Sequence, residues 1–93
     1  MKTQRPITPE EAQARLEALC ARAEHSTGEM AERLRRWQIG STDTERILAS
    51  LKEHRFVDDR RFARAYVTDK VKFARWGKRK VYQGLLNKHV APE

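Results

Sequence analysis

Apolar residues recur along the chain at steps of three and four, and the polar residues just before each recurrence have the chemistry of helix starts. Thr8-Pro9-Glu10-Glu11 sets a hydroxyl at an N-cap, proline at the first helical position and glutamate at the third. Ala12, Leu16, Leu19, Cys20 and Ala23 follow on one face of a first helix. Ser26-Thr27-Gly28-Glu29 repeats the capping box before Met30, Ala31, Leu34 and Trp37, a second helix ending near Gln38. Thr42-Asp43-Thr44-Glu45 reads as a third box, ahead of Ile47, Leu48 and Leu51 in a helix that ends near His54. Asp58 or Asp59 is placed to cap a fourth helix, whose inward side is Phe62, Ala63, Tyr66, Val67, Val71, Phe73 and Ala74, up to Trp76-Gly77. Gly77 divides it from a fifth helix carrying Val81, Leu85 and Leu86. No segment sustains period-two alternation between hairpin turns, so the expected class is all-α.

A shift of 51 residues superimposes Ala12 on Ala63, Leu16 on Val67, Cys20 on Val71, Ala23 on Ala74, Met30 on Val81, Leu34 on Leu85 and Ile39 on Val90, with Thr8 on Asp59. Caps, helix gaps and inward face agree over two helices, which predicts a tandem repeat of right-handed three-helix units. The expected organisation is a flexible terminus over 1–7, a first repeat over 8–57 and a second over 58–93. The second unit's third helix would begin at Ala91-Pro92-Glu93, so this repeat is expected to be incomplete.

Composition supports a folded helical chain: of 93 residues, 39% are apolar and 35% charged, with four Gly and three Pro. The apolar runs are too short for a membrane span and the start is too polar for a secretory signal, so a cytoplasmic location is expected. The lone Cys20 cannot form an internal disulfide, and its place on the apolar stripe makes it a small core residue rather than a reactive thiol. His25, His54 and His89 fall at separate helix ends and share no ligand spacing with Cys20 or paired carboxylates, so no metal site is expected.

Charge changes the picture most. Residues 1–54 hold nine Lys/Arg and nine Asp/Glu, whereas residues 55–93 hold eleven against four, so the whole net charge of +7 lies in the second part. Lys78, Arg79 and Lys80 enter the first turn of the fifth helix, where cations oppose the helix dipole; the first repeat has Glu29 there. Arg75 precedes them, and Arg60, Arg61, Arg64 and Lys72 extend the charge along the fourth helix. These eight residues are the candidate surface for an acidic protein or for phosphates. Against that stands pairing of Arg60, Arg61 and Arg64 with Asp58, Asp59 or carboxylates of the first helix, which would leave an ordinary charged face. Adjacent Asp58 and Asp59 at a helix entry point different ways and lack a third ligand, so acid–base or metal chemistry is not their expected role. No nucleophile motif, phosphate loop or zinc spacing occurs, and an enzyme is the least supported class.

One resemblance joins these features. Leu19-Cys20, the run Phe56-Val57-Asp58-Asp59-Arg60-Arg61-Phe62-Ala63-Arg64-Ala65-Tyr66-Val67, and Trp76-Gly77-Lys78 with Val81, Leu85 and Val90 resemble RecX family proteins, over roughly residues 10 to 93. The resemblance implies tandem three-helix units, normally three, that lie in the groove of the RecA filament and block its recombinase, ATPase and coprotease activities, regulating DNA repair and the SOS response. It assigns mainly structural roles to Asp58, Asp59, Phe62, Ala63, Tyr66, Val67, Gly77 and Leu85, and implies no cofactor. His89 departs from it, standing where the family often has glycine at a helix end. A second reading is direct binding of single- or double-stranded DNA by a helix-turn-helix, since Gly40 lies in a short turn between two helices. Asp43, Glu45 and Glu53 in the would-be recognition helix argue against it. A third is a helix-exchanged dimer in which two copies cover Val81, Leu85 and Leu86.

Overall fold

A computed structural model of the chain describes residues 6–88. Among them there are five α-helices and no strand: α1 Pro9–Arg22, α2 Thr27–Arg36, α3 Ser41–Glu53, α4 Asp59–Thr68 and α5 Lys78–Asn87, with a π-helical turn, Asp69–Phe73, continuing α4. The helix start read at Ala91-Pro92-Glu93 and the terminal stretch 1–5 lie outside the described residues.

Two capping boxes form as their sequences require. Thr8 Oγ1 accepts the Glu11 N–H at 3.1 Å while Glu11 Oε1 accepts the Thr8 N–H at 3.0 Å, and Ser26 and Glu29 reproduce the pair at 3.1 and 3.0 Å. The third box does not form. α3 starts two residues earlier than that box requires, at Ser41, with Gly40 as an N-cap that has no side-chain bond. Thr44 Oγ1 instead donates back to the Ile39 carbonyl at 3.4 Å.

Helices α2 and α3 both end on a residue in the left-handed region, Gln38 (φ 61°) and Arg55 (φ 63°). The bonds around them are those of a Schellman motif: Ile39 N–H to Leu34 O and Gln38 N–H to Arg35 O, then Phe56 N–H to Leu51 O and Arg55 N–H to Lys52 O. Each turn thus satisfies end carbonyls and brings Ile39 or Phe56 back onto the apolar face.

α1, α2 and α3 enclose one core of Ala12, Leu16, Met30, Leu34, Ile47, Leu51 and Val57, with Leu19, Cys20, Trp37 and Leu48 packed at its margin. Ala23, expected inside, is exposed, because α1 has already ended at Arg22 and Ala23 is extended backbone. α4 and α5 pack on a separate, smaller cluster of Phe62, Val81 and Leu85, edged by Ala63, Tyr66 and Trp76.

The internal shift is not constant. The caps of α1 and α4 are Thr8 and Asp58, a shift of 50, and the buried residue answering Ala12 is Phe62. The caps of α2 and α5 are Ser26 and Gly77, a shift of 51, and Met30 and Leu34 answer to Val81 and Leu85. The π-helical turn, in which Ala74 N–H reaches back five residues to the Asp69 carbonyl, supplies the extra residue. A single shift of 51 therefore misassigns the face of α4 and of the turn that continues it: Val67, Val71 and Phe73 are exposed, as is Ala74; on α5 Leu86, also expected inside, is exposed.

The two clusters are joined by polar contacts. Arg61 Nε donates to Glu24 Oε2 at 2.6 Å, and its terminal nitrogen donates to the Arg55 and Phe56 carbonyls. Asp59 Oδ1 accepts the Thr27 N–H at 2.8 Å. At the other end Ser26 Oγ, fully buried, donates to the Lys88 carbonyl at 2.8 Å, while Lys88 Nζ donates to Glu29 Oε2 at 2.9 Å.

Candidate functional site

The basic half of the chain centres on Trp76. Helix α4 and the π-helical turn that continues it carry Phe62, Tyr66 and Lys70 at four-residue steps, so the three stand in a row. Phe62 and Tyr66 rings lie 5.8 Å apart, and the Trp76 ring meets Tyr66 edge-on at 6.3 Å. The chain reaches Trp76 through Arg75 in the left-handed region (φ 61°), and the Trp76 N–H bonds to the Lys70 carbonyl at 2.8 Å. Two ammonium groups then cover the indole, Lys70 at 4.9 Å and Lys80 at 4.5 Å from its centroid, and Lys70 also lies 5.4 Å from Tyr66. Lys70 is further held by Asp69 at 3.2 Å.

Gly84 makes this arrangement possible. A Cβ there would stand 2.9 Å from Tyr66 Cζ and 3.2 Å from Cε1, so α5 can lie against Tyr66 only where it has no side chain. An isolated glycine inside an apolar-periodic helix is the sequence signal that would have found it.

Around this centre, Arg64, Lys72, Arg75, Lys78 and Arg79 are exposed and have no carboxylate at ion-pair distance among the described residues. Arg60 is exposed and partnered. Gly77 caps α5 without a side chain, and no acid enters its first turn, so Lys78, Arg79 and Lys80 face the positive helix end uncompensated. Between Asp69 and Lys88 seven Lys/Arg stand against Asp69 alone.

The structure separates the eight candidate cations by role. Arg61 belongs to the joint between the two clusters, through Glu24 and two carbonyls, and Lys80 is laid on Trp76. Of the motif residues, Phe62 and Leu85 are buried, Ala63 and Tyr66 border them, Val67 is exposed and Gly77 is a bare N-cap. Lys70, Glu24, Ser26 and Lys88 were not legible as site or joint residues. Nothing in a linear pattern foretells that Ser26 meets a carbonyl 62 residues away.

Asp58 is the N-cap of α4. Its carboxylate accepts the Arg61 N–H at 3.1 Å, the main reason its pKa lies below the ordinary range although desolvation opposes it. Asp59 faces Thr27, so the two acids diverge. Burial tends to raise the Glu29 pKa, but the Ser26 N–H, Lys88 and His25 outweigh it and the net shift is downward. Burial, then Glu24, pushes the Cys20 thiol up, and its sulfur lies 3.8 Å from Met30 Sδ, so the neutral thiol packs as an apolar group. Among the described residues no group of three His, Cys, Asp or Glu is placed to hold a metal, and no helix is long and apolar enough to cross a membrane.

Compared with known proteins, residues 58–93 match the family model described as RecX, second three-helix domain. No curated protein and no solved structure matches the chain.

Proposed function

We propose, from the membership of this chain in the RecX family that residues 58–93 carry, that it is a regulator that binds the RecA recombinase filament and inhibits its recombinase, ATPase and coprotease activities. The observation that carries the reading from family to surface is the uncompensated basic start of α5. A helix that places three cations at its own positive end gives up stability, about 0.3 to 1 kcal/mol for each when exposed, that an acidic partner returns. The chemistry is that of binding rather than turnover, and it acts where the partner is, in the cytoplasm.

Direct DNA reading by α3 is disfavoured by the helix itself. Its first turn holds Asp43, Arg46 is drawn to that acid at 3.1 Å, and Glu45 and Glu53 share the helix. Nor is the Trp76 centre a ready base-stacking platform, because Lys70 and Lys80 lie against the indole.

ATP hydrolysis by RecA on single-stranded DNA tests the reading, with this chain added beside a variant carrying Lys78→Glu, Arg79→Glu and Lys80→Glu. Inhibition by the parent and its loss in the variant are expected. A parent chain that neither binds the filament nor slows hydrolysis sinks the reading. Binding to free DNA with a steep salt dependence, and none to the filament beyond it, would favour DNA as the direct ligand.

A further inference from the structure

Phe73 is the most exposed of the large apolar residues in the described chain, at 77%, although its sequence places it at the end of a helix that packs on a core. A helix packed beside this one would not cover it. Phe73 is the last residue of the π-helical turn, where the shift passes from 50 to 51, so it answers to Ala23 or Arg22, and both are exposed in the first group even though α3 is packed beside α1. The position is solvent-facing in a complete three-helix group. There an arginine is ordinary and a phenylalanine is not.

Three local features keep Phe73 outward. The π-helical turn it ends adds one residue to α4 and rotates the residues beyond it relative to α1. Ala74 then caps that turn through Asp69, and Arg75 takes the left-handed conformation at φ 61°, which sends Trp76 inward onto Tyr66. The fold thus turns one aromatic in and the other out, and it uses a left-handed, non-glycine residue to do so. Lys72 and Arg75 flank Phe73 in sequence and are exposed, as are Lys78 and Arg79 further along.

We infer that Phe73 is the apolar anchor of the partner-binding surface, inserting into an apolar recess on an acidic protein surface while the cations near it in sequence meet the acidic rim. In such a division the buried anchor supplies affinity and the charges supply approach and orientation. Charge complementarity fixes the partner's sign, since the segment from Asp69 to Lys88 has seven cations to one acid. The inference rests on the proposed RecA reading and adds the residue that makes the contact specific to a protein surface.

The test compares the parent chain, Phe73→Ala and Lys72→Ala for binding to RecA filaments on single-stranded DNA, and for binding to the same DNA without RecA. Phe73→Ala is expected to weaken filament binding by about tenfold or more and Lys72→Ala by only a few-fold, with free-DNA binding and the melting temperature unchanged. Filament binding by Phe73→Ala equal to the parent overturns the inference and leaves the RecA reading standing. An equal loss on free DNA overturns it in favour of nucleic acid. A melting temperature lowered by more than about 5 °C overturns it too, because Phe73 would then be a core residue. No filament binding by the parent overturns the reading and the inference together.

Discussion

The group formed by α1, α2 and α3 and the group formed by α4 and α5 use the same helical plan with different ends in view. In the first, six core side chains are fully shielded, both capping boxes close and the acids balance the bases. In the second, three apolar residues among those described are buried, each with 6 to 8% of its surface still exposed, the cap of α5 is a glycine, and the charge is strongly positive. Bare glycine caps occur in both groups, at α3 and α5, but Asp43 enters the first turn of α3 whereas three cations and no acid enter that of α5. In the proposed reading the first group is the anchor and the second the partner-facing part, which rests on the first through the Arg61, Asp59, Ser26 and Lys88 contacts.

The sharpest way to break this comparison is to truncate equivalent core leucines. Leu34→Ala removes a fully buried side chain and is expected to cost about 3 to 4 kcal/mol, whereas Leu85→Ala, nearer the surface with fewer neighbours to lose, is expected to cost about 2 kcal/mol. Urea unfolding of both variants, read at constant slope, checks the difference. Equal losses would mean that the two cores are alike and that the anchor is not confined to α1–α3.

Gly84→Ala probes the second group alone. Alanine is worth about 1 kcal/mol more than glycine in a helix interior, but its methyl would stand against the Tyr66 ring, and overpacking of that kind costs about 1 to 3 kcal/mol. A net loss of about 1 kcal/mol is expected. It should appear in hydrogen exchange as faster opening of α4 and α5 with α1–α3 protected as before. Faster exchange across all five helices would instead show a single cooperative unit.

Much of the fold could be read from the chain because its signals are local. The capping boxes at Thr8 and Ser26, the face of Leu16, Met30, Leu34, Ile47 and Leu51 and the Asp58 cap depend on residues within one or two turns. Reading a third box at Thr42 failed because the motif's residues were present but α3 began a residue before them. The face of α4 was misread for a different reason: a π-helical turn is an insertion without a glycine or proline to mark it, and one added residue turns everything beyond it by about 100°. The basic surface was legible as composition. Its sorting into Arg61 at a joint, Lys70 and Lys80 on an indole and Phe73 outside was not, since each depends on contacts between helices.

Acid should act on the joint between the groups. The Glu29 carboxyl is depressed in the folded chain, so its contribution is fully present above its ordinary value of 4.5 and is lost as pH falls through the lower folded value. Asp58 is depressed as well and its cap weakens in the same direction. The expected outcome is that Glu29→Gln lowers stability at neutral pH and flattens the decline of stability with acid, because the variant no longer has that carboxyl to protonate. An acid limb with unchanged slope would place the pH sensitivity elsewhere.

The smallest effect separates stability from binding most cleanly. Lys78 occupies the first helical position of α5, exposed and at the positive end of the helix dipole. Lys78→Glu converts a repulsion into an attraction and is expected to stabilise the chain by about 0.3 to 1 kcal/mol at low salt, the gain fading as salt is added. The same change removes a cation from the surface proposed to meet an acidic filament, so filament binding is expected to weaken as the melting temperature rises. Lysine at that position would then be kept for its partner and against the helix. If Lys78→Glu stabilised the chain and left filament binding untouched, the positive start of α5 would be an uncorrected local cost, and the functional difference between the two groups would have to rest on Phe73 and the cations of α4 alone.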